Sequence, residues 1–345
     1  MELYIYDRSV GLVDVVDTTS SIRWRRKYFE PGEVEIHLPA TFENMQLLQE
    51  GRIIRRTDRR EAAIIEGRKV RGFDLAITGR MLSSMLDRAL VTELFTMTAS
   101  ADALLCALAA EGCRVIPELA IRPATGIGTA ISVQIPPWQK NALTLMEKIG
   151  KASGIGFRVL YDAGLLRFET YAGVDRSVLQ SAVPHVIFSD EFGNLAEIEY
   201  TEDVKKYRNV AYVLGAEKDG QQEVVVVDQS NGQPIREMYI SGSSVQMEDG
   251  MTAEAYRALL AEYGAEQLAT KGKVESFEGE GFDIGNFTYM EDWDLGDIVT
   301  IQSAELGLVS HARVTEVEEL YERGTVRILP VFGSPLSEKL DLGVI

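Results

Sequence analysis

Two cysteines among 345 residues, Cys106 and Cys113, cannot build a disulfide framework. Cys106 falls on the apolar face of an expected helix, and both read as reduced core thiols of a protein made in a reducing cytoplasm. Histidine is almost as scarce. His37, His185 and His311 have no metal-ligand spacing, and neither HExxH nor a Cys/His cluster occurs. His37 lies on the polar side of a strand pattern and is expected at the surface, whereas His185 and His311 read as structural strand residues. Long apolar runs are missing: stretches such as Ala107–Ala110 and Val224–Val227 fall far short of the ~18–20 residues that span a bilayer, so stable membrane insertion is not expected. Met1–Tyr4 shows no basic region leading into an apolar stretch, so no secretory leader is expected. Phosphate loops and nucleophile elbows are absent too. Gly126-Ile127-Gly128 and Gly154-Ile155-Gly156 lack the third glycine and distant acid of a dinucleotide fingerprint and read as turns. Neither GxxxxGK[ST] nor GxSxG occurs. No catalytic, cofactor-binding or metal-binding residue is therefore assigned, and no cofactor is expected.

What is present is charge of one sign, unevenly placed. The net charge is −18. Residues 1–90 carry 15 basic and 14 acidic side chains, residues 91–184 carry 8 of each, and residues 185–345 carry 12 basic and 31 acidic ones. A surface this acidic repels nucleic acid, so specific nucleic-acid binding is not expected. Apolar residues at 46% and charged residues at 26% are ordinary globular proportions, and the length suits two or three domains.

Residues 1–90 read as a first β domain. Val34, Ile36 and Leu38 alternate with Glu33, Glu35 and His37, and Pro39 ends that strand. Further strands are expected at 3–6, 11–16, 21–29, 53–54, 62–66 and 75–78, with a helical turn over 42–48. Residues 91–172 read as an inserted α+β domain. Ser100 is placed as the N-cap of a helix closed by Gly112, a strand is expected within 116–121, and Pro136-Pro137 precedes a second helix ending near Gly150–Gly154. A hairpin turns across Asp162-Ala163-Gly164. Residues 173–345 return to β, with strands expected at 185–188, 195–200, 209–214, 223–227, 235–240, 297–302, 308–317 and 326–332, and a helical insertion near 251–272 capped by Thr252. No repeat of 20–50 residues occurs.

Two clusters compete for a functional reading. Glu278, Glu280, Asp283, Glu291, Asp292, Asp294 and Asp297 crowd around Phe282, Phe287, Tyr289 and Trp293, as carboxylates and aromatic platforms do in a saccharide site or oxygens in a metal site. The alternative is a solvated acidic loop over a barrel mouth. The run Arg52, Arg55, Arg56, Arg59 and Arg60, mixed with Asp58 and Glu61, reads as outward arginines on a strand pair. Such a surface could meet the acidic half of another copy.

Several ordered stretches carry a family resemblance: Phe29-Glu30-Pro31-Gly32-Glu33-Val34-Glu35-Ile36 with Leu38-Pro39, Gly51-Arg52-Ile53-Ile54, Val70-Arg71-Gly72-Phe73-Asp74-Leu75, Tyr171-Ala172-Gly173-Val174-Asp175-Arg176-Ser177, Val186-Ile187-Phe188-Ser189 with Phe192-Gly193-Asn194-Leu195, Tyr207-Arg208-Asn209-Val210-Ala211, and Leu295-Gly296-Asp297-Ile298-Val299. In this the chain resembles the siphovirus-type minor tail proteins of the Pepy phage group, which are tail-tip or baseplate hub proteins. Ser177 stands where the usual pattern favours Thr. The resemblance implies a mainly β chain with α+β insertions, in which two tail-tube-like β-barrel or sandwich domains flank an inserted α/β domain. It also implies a homotrimer closing a pseudo-sixfold ring around the channel, without enzymatic activity. Its partners would be the tail tube or distal tail protein, the tape measure protein and the tip or receptor-binding proteins, in a virion assembled in the host cytoplasm. A wall-cutting or carbohydrate-binding module fused after the hub is not expected, since the chain ends about a dozen residues past its last strand. The alternative function is a tail protein that recognises host-surface carbohydrate or degrades the cell wall.

Overall fold

A computed structural model describes residues 1–333 apart from 139, 219–220, 244, 246, 248–250, 282–286 and 323. The chain is mostly β, in two compact units: Met1–Tyr200 with Phe277–Gly333, and Thr201–Ser276.

The first unit begins with strands β1 (Leu3–Tyr6), β2 (Leu12–Val16), β3 (Ser21–Lys27) and β4 (Glu33–Pro39). Helix α1 (Phe42–Leu47), β5 (Ile53–Arg56), β6 (Ala62–Arg71) and β7 (Asp74–Met81) follow. Alternation sets the faces here. Val34, Ile36 and Leu38 are buried, while Glu33, Glu35 and His37 lie on the other side. The buried set packs with Ile22, Trp24, Leu75 and Ile77 into one core.

After a 3-10 helix at Leu82–Arg88 come β8 (Phe95–Ser100), α2 (Ala101–Gly112), β9 (Leu119–Ile121), β10 (Ala130–Ile135), α3 (Ala142–Ser153), β11 (Gly156–Asp162) and β12 (Leu165–Tyr171). Asn141 caps α3 by accepting from the Thr144 N–H at 2.8 Å, and Gly154 ends it at φ 72°. Ala163 and Gly164 turn the β11–β12 hairpin, both at positive φ. Strands β8 and β10 pair only with each other. Both alternate, Phe95 and Met97 against Thr96 and Thr98, and Ile131, Val133 and Ile135 against Ser132 and Gln134, a period-two signal that marks strands although none was expected there.

Strand β13 (Ile187–Ser189) and β14 (Leu195–Asp203) lead into the second unit. That unit holds β15 (Val210–Lys218), β16 (Gln221–Asp228), β17 (Glu237–Gly242) and α4 (Ala253–Ala269). Its sheet runs β16-β15-β17, and Tyr256, Leu260 and Leu268 of α4 pack on Ala211, Val213 and Ile240. Thr252 caps α4 through the Ala255 N–H at 3.2 Å.

The chain returns through β18 (Val274–Gly281), β19 (Ile298–Ser303), β20 (Leu308–Glu322) and β21 (Thr325–Gly333). The segment expected as an acidic loop is thus strand over Val274–Gly281; its glycines and acids hid the pattern. The large sheet runs β14-β18-β21-β20-β3-β4-β7-β6-β5-β1-β2, with β19 beside β20 and β13 beside β19. Strand β20 serves two neighbours in tandem along one edge: Leu308–Arg313 pair with β19, and Glu316–Glu322 pair with β3. The first and last β segments of the chain therefore share one continuous sheet. A second core lies under β19–β21, with Tyr28, Phe188, Trp293, Val299 and Phe332 at its centre.

Candidate functional site

The β3–β20 junction matches a basic strand with an acidic one. Lys27 lies opposite Glu316 and Arg25 opposite Glu318. Arg25 Nε donates to Glu318 at 2.9 Å, and Arg23 lies 3.2 Å from the same carboxylate. On the inner face Arg26 is fully enclosed. It donates to Glu61 at 2.8 Å, Asp294 at 2.7 Å and the Tyr289 hydroxyl at 2.6 Å. Burial opposes its charge most strongly, but attraction to Glu61, with Tyr289 and Asp294 behind it, more than offsets this and holds the guanidinium well above its usual pKa. Burial likewise works against ionised Glu61, and Arg26 overrides it and keeps that carboxylate below its usual value.

The 52–60 arginines do not form an outward stripe. Arg56 is completely buried, donating to Asp58 at 2.6 Å, to Glu319 at 2.7 Å and to the Tyr321 hydroxyl. Arg59 reaches Glu319 at 3.2 Å, and Arg55 lies over the Tyr4 and Tyr161 rings at 5.0 and 5.3 Å. Arg60 remains exposed, 3.2 Å from Asp162. The match between a basic N-terminal and an acidic C-terminal segment is thus made inside one chain. The reason is desolvation: a sheet junction that buries Arg26 and Arg56 must bring carboxylates with them.

The aromatics of the acid–aromatic cluster are inward, while Glu291 and Asp292 are exposed, as expected of a solvated acidic loop. Trp293 is 4% exposed and Tyr289 9%, so neither ring offers a platform to a sugar. Phe287 packs against the same core. Asp292 accepts from the Thr288 N–H at 2.7 Å, Asp294 from Arg26, and Asp297 from the Val174 N–H at 2.7 Å and Arg176 at 2.8 Å. Phe282 and Asp283 lie outside the described residues, as do the side chains of Glu278 and Glu280.

Tyr28 joins three segments. Its hydroxyl donates toward the Gly154 and Tyr171 carbonyls at 3.2 and 3.1 Å and accepts from the Gly173 N–H at 3.1 Å. Its ring fills space left by Gly156 and Gly296, where a Cβ would lie 2.4 and 2.2 Å from it. Gly173 and Gly296 touch backbone to backbone; a Cβ on Gly173 would stand 1.8 Å from the Gly296 carbonyl oxygen. Ile298 N–H then donates to Val174, and Arg176 N–H to Ile298. The stretches 171–177 and 295–299, far apart in sequence, are one contact. In the same way Asn194 closes the 187–194 turn through the Ser189 N–H at 2.8 Å and the Ile187 carbonyl at 2.9 Å. These stretches hold backbone together, and nearly the whole chain, residues 2–334, matches the family model described as siphovirus ReqiPepy6 Gp37-like protein. The chain belongs to that family. Its fold is that of phage tail proteins. A prophage tail protein from Listeria monocytogenes matches at TM-score 0.58 and 10% identity, covering 96% of this chain and 94% of its own. A tail protein from Neisseria meningitidis matches at 0.60 and 14%, covering 98% and 99%. A tail protein of prophage MuSo2 from Shewanella oneidensis matches at 0.61 and 11%, again covering 98% and 99%. No curated protein sequence matches at a significant level.

The remaining sequence candidates are spread through this family member. His37 is half-buried rather than freely exposed, because Asp74 at 2.8 Å and Glu35 at 3.1 Å flank its ring. His185 meets the Gln180 carbonyl at 2.6 Å, and His311 meets Thr300 at 3.1 Å. Cys106 is buried, but Cys113 is exposed, since it caps α2 beyond the helix's apolar face. Among the described residues, no three His, Cys, Asp or Glu side chains gather as a metal site, and no helix is long and apolar enough to cross a membrane. A cleft of about 700 Å³ lies between Arg8, Glu50, Gly51, Ile53, Met85, Arg88 and Ile116, beside the start of the 52–60 arginine run. Sequence reasoning missed Arg26, Tyr28 and Glu319. The signal available was the basic alternation over 23–27 facing the acidic one over 316–322.

Proposed function

We propose that the chain is a structural hub of a phage tail tip or baseplate. Three copies close a pseudo-sixfold ring around a channel and join the tail tube or distal tail protein to the tip. The observation that carries this reading is family membership over residues 2–334, joined to whole-length likeness in fold to three tail proteins. Two β regions per copy, 1–90 and 173–345, would supply six positions around the ring, with 91–172 and the helix near 251–272 as decorations. The tape measure protein would sit in the channel and receptor-binding proteins at the far face, placing the chain in the virion after assembly in the host cytoplasm. The role is mechanical rather than catalytic, a reading supported by Asp294 and Asp297 being paired with arginines and by Tyr289 and Trp293 being buried. Acidic side chains lining the channel would repel nucleic-acid phosphates over a Debye length of roughly 8–10 Å.

The test is mass by light scattering with negative-stain images, on the purified chain alone and with the distal tail protein. A ring of three copies is expected. A solitary compact particle under both conditions would overturn the reading. Zymography on cell walls separates the wall-degrading alternative: no clearing is expected.

A further inference from the structure

Because the β3–β20 junction engages the arginines of 23–26 and 55–59, the free cations stand elsewhere. A group of them stands at the tip of the β6–β7 hairpin. Lys69 and Arg71 are exposed and, among the described residues, have no acidic partner, while Arg68 donates only to the Met45 carbonyl at 2.9 Å. Within this collar Phe73 is 94% exposed and Val70 48%. The Phe73 carbonyl accepts from the Ala40 N–H at 2.8 Å, which brings the chain of Phe42, itself 76% exposed, alongside. Two phenylalanines in solvent among three cations form a surface that calls for a partner.

A second patch of the opposite sign lies at the β19–β20 turn, in the same unit. Leu306 and Val309 are exposed there. Asp190 ties the neighbouring loop to this turn, accepting from Ser303 Oγ at 2.6 Å and the Ala304 N–H at 3.3 Å, and exposed Phe192 follows on that loop. Glu191 and Glu305 are exposed beside it and, among the described residues, pair with no cation. The two patches sit at opposite ends of β20. Asp74 pairs with Pro39, His37 with Ser21, and Ser21 with Glu322, so the basic tip lies toward the Glu322 end. The acidic patch lies at the Leu308 end, about 45 Å of strand away.

We propose that the basic hairpin tip of one copy seats on the acidic β19–β20 patch of a second copy of this chain. The collars are complementary in charge and both centres are apolar. The contact joins two different surfaces head to tail, which closes into a ring of three when each step turns by a third of a revolution. The inference rests on the ring reading above and names the contact between its subunits.

Charge reversal tests it on the full chain. K69E/R71E and E191K/E305K alter only exposed side chains, and each is expected to lower the association constant at least tenfold by light scattering. The fourfold variant carrying both reversals is expected to regain three-copy mass, which also shows that the altered chains fold. A three-copy mass unchanged in every variant, or no recovery in the fourfold variant, overturns the contact and leaves the ring standing. Loss and recovery at another copy number, or as open chains, keeps the contact and overturns the threefold ring. A wild-type chain single at every concentration overturns the contact, and the ring is then judged on images with the distal tail protein.

Discussion

At the scale of single residues, buried charge decides most. Arg56 and Glu319 are both wholly inaccessible. Removing Arg56 leaves buried Glu319 with only Arg59 at 3.2 Å and the Tyr321 hydroxyl, so Arg56→Met is expected to destabilise the protein toward the low end of ~3–5 kcal/mol in denaturant unfolding. Arg56→Met/Glu319→Leu should recover much of that loss, because an apolar pair carries no desolvation penalty. A double variant no better than the single one would count against the ionic account. His37 makes a pH-dependent contribution. Burial alone would lower its pKa, but hydrogen bonds to Asp74 and Glu35 outweigh burial and raise it above its usual 6.5. A raised value in the folded state stabilises fully below the unfolded value and is lost as pH rises through the folded one. The Tm difference between wild type and His37→Gln should therefore be larger near pH 6 than near pH 8.5. Equal differences would sink the assignment.

At the scale of elements, glycine contacts set what the junctions tolerate. Gly173→Ala would drive a methyl into the Gly296 carbonyl, where no flexible side chain can yield. A loss of ~3 kcal/mol or more is expected, read as a fall in denaturation midpoint. An unaltered midpoint would mean that the two segments are not pressed together. The β strands of residues 1–90 were legible because one face is core and the other solvent, as Val34, Ile36 and Leu38 show. The helices α3 and α4 were legible from their caps, Asn141 excepted, and their apolar residues. Strand β18 was not, because its acids and glycines give the sequence little alternation, whereas β8 and β10 do alternate and their signal lay unused in Phe95, Met97, Val133 and Ile135. The direction of Arg56 was hidden for another reason. Its neutralising partner, Glu319, lies 263 residues away, and no local pattern reports such a pairing.

At the scale of the whole molecule, the uneven distribution of charge has two separate outlets. Part is neutralised internally across β3 and β20, and part remains as opposed patches at the two ends of β20. The insertion of β3 beside β20 also governs the order of synthesis. Arg25 meets Glu318 across 293 positions of chain. At ~5–20 residues per second, a ribosome needs roughly 15–60 s to supply that partner strand. Throughout that interval the nascent N-terminal sheet presents an open edge of arginines. A chain released early never acquires the strand that seals it, so truncated products are barred from maturing into building blocks.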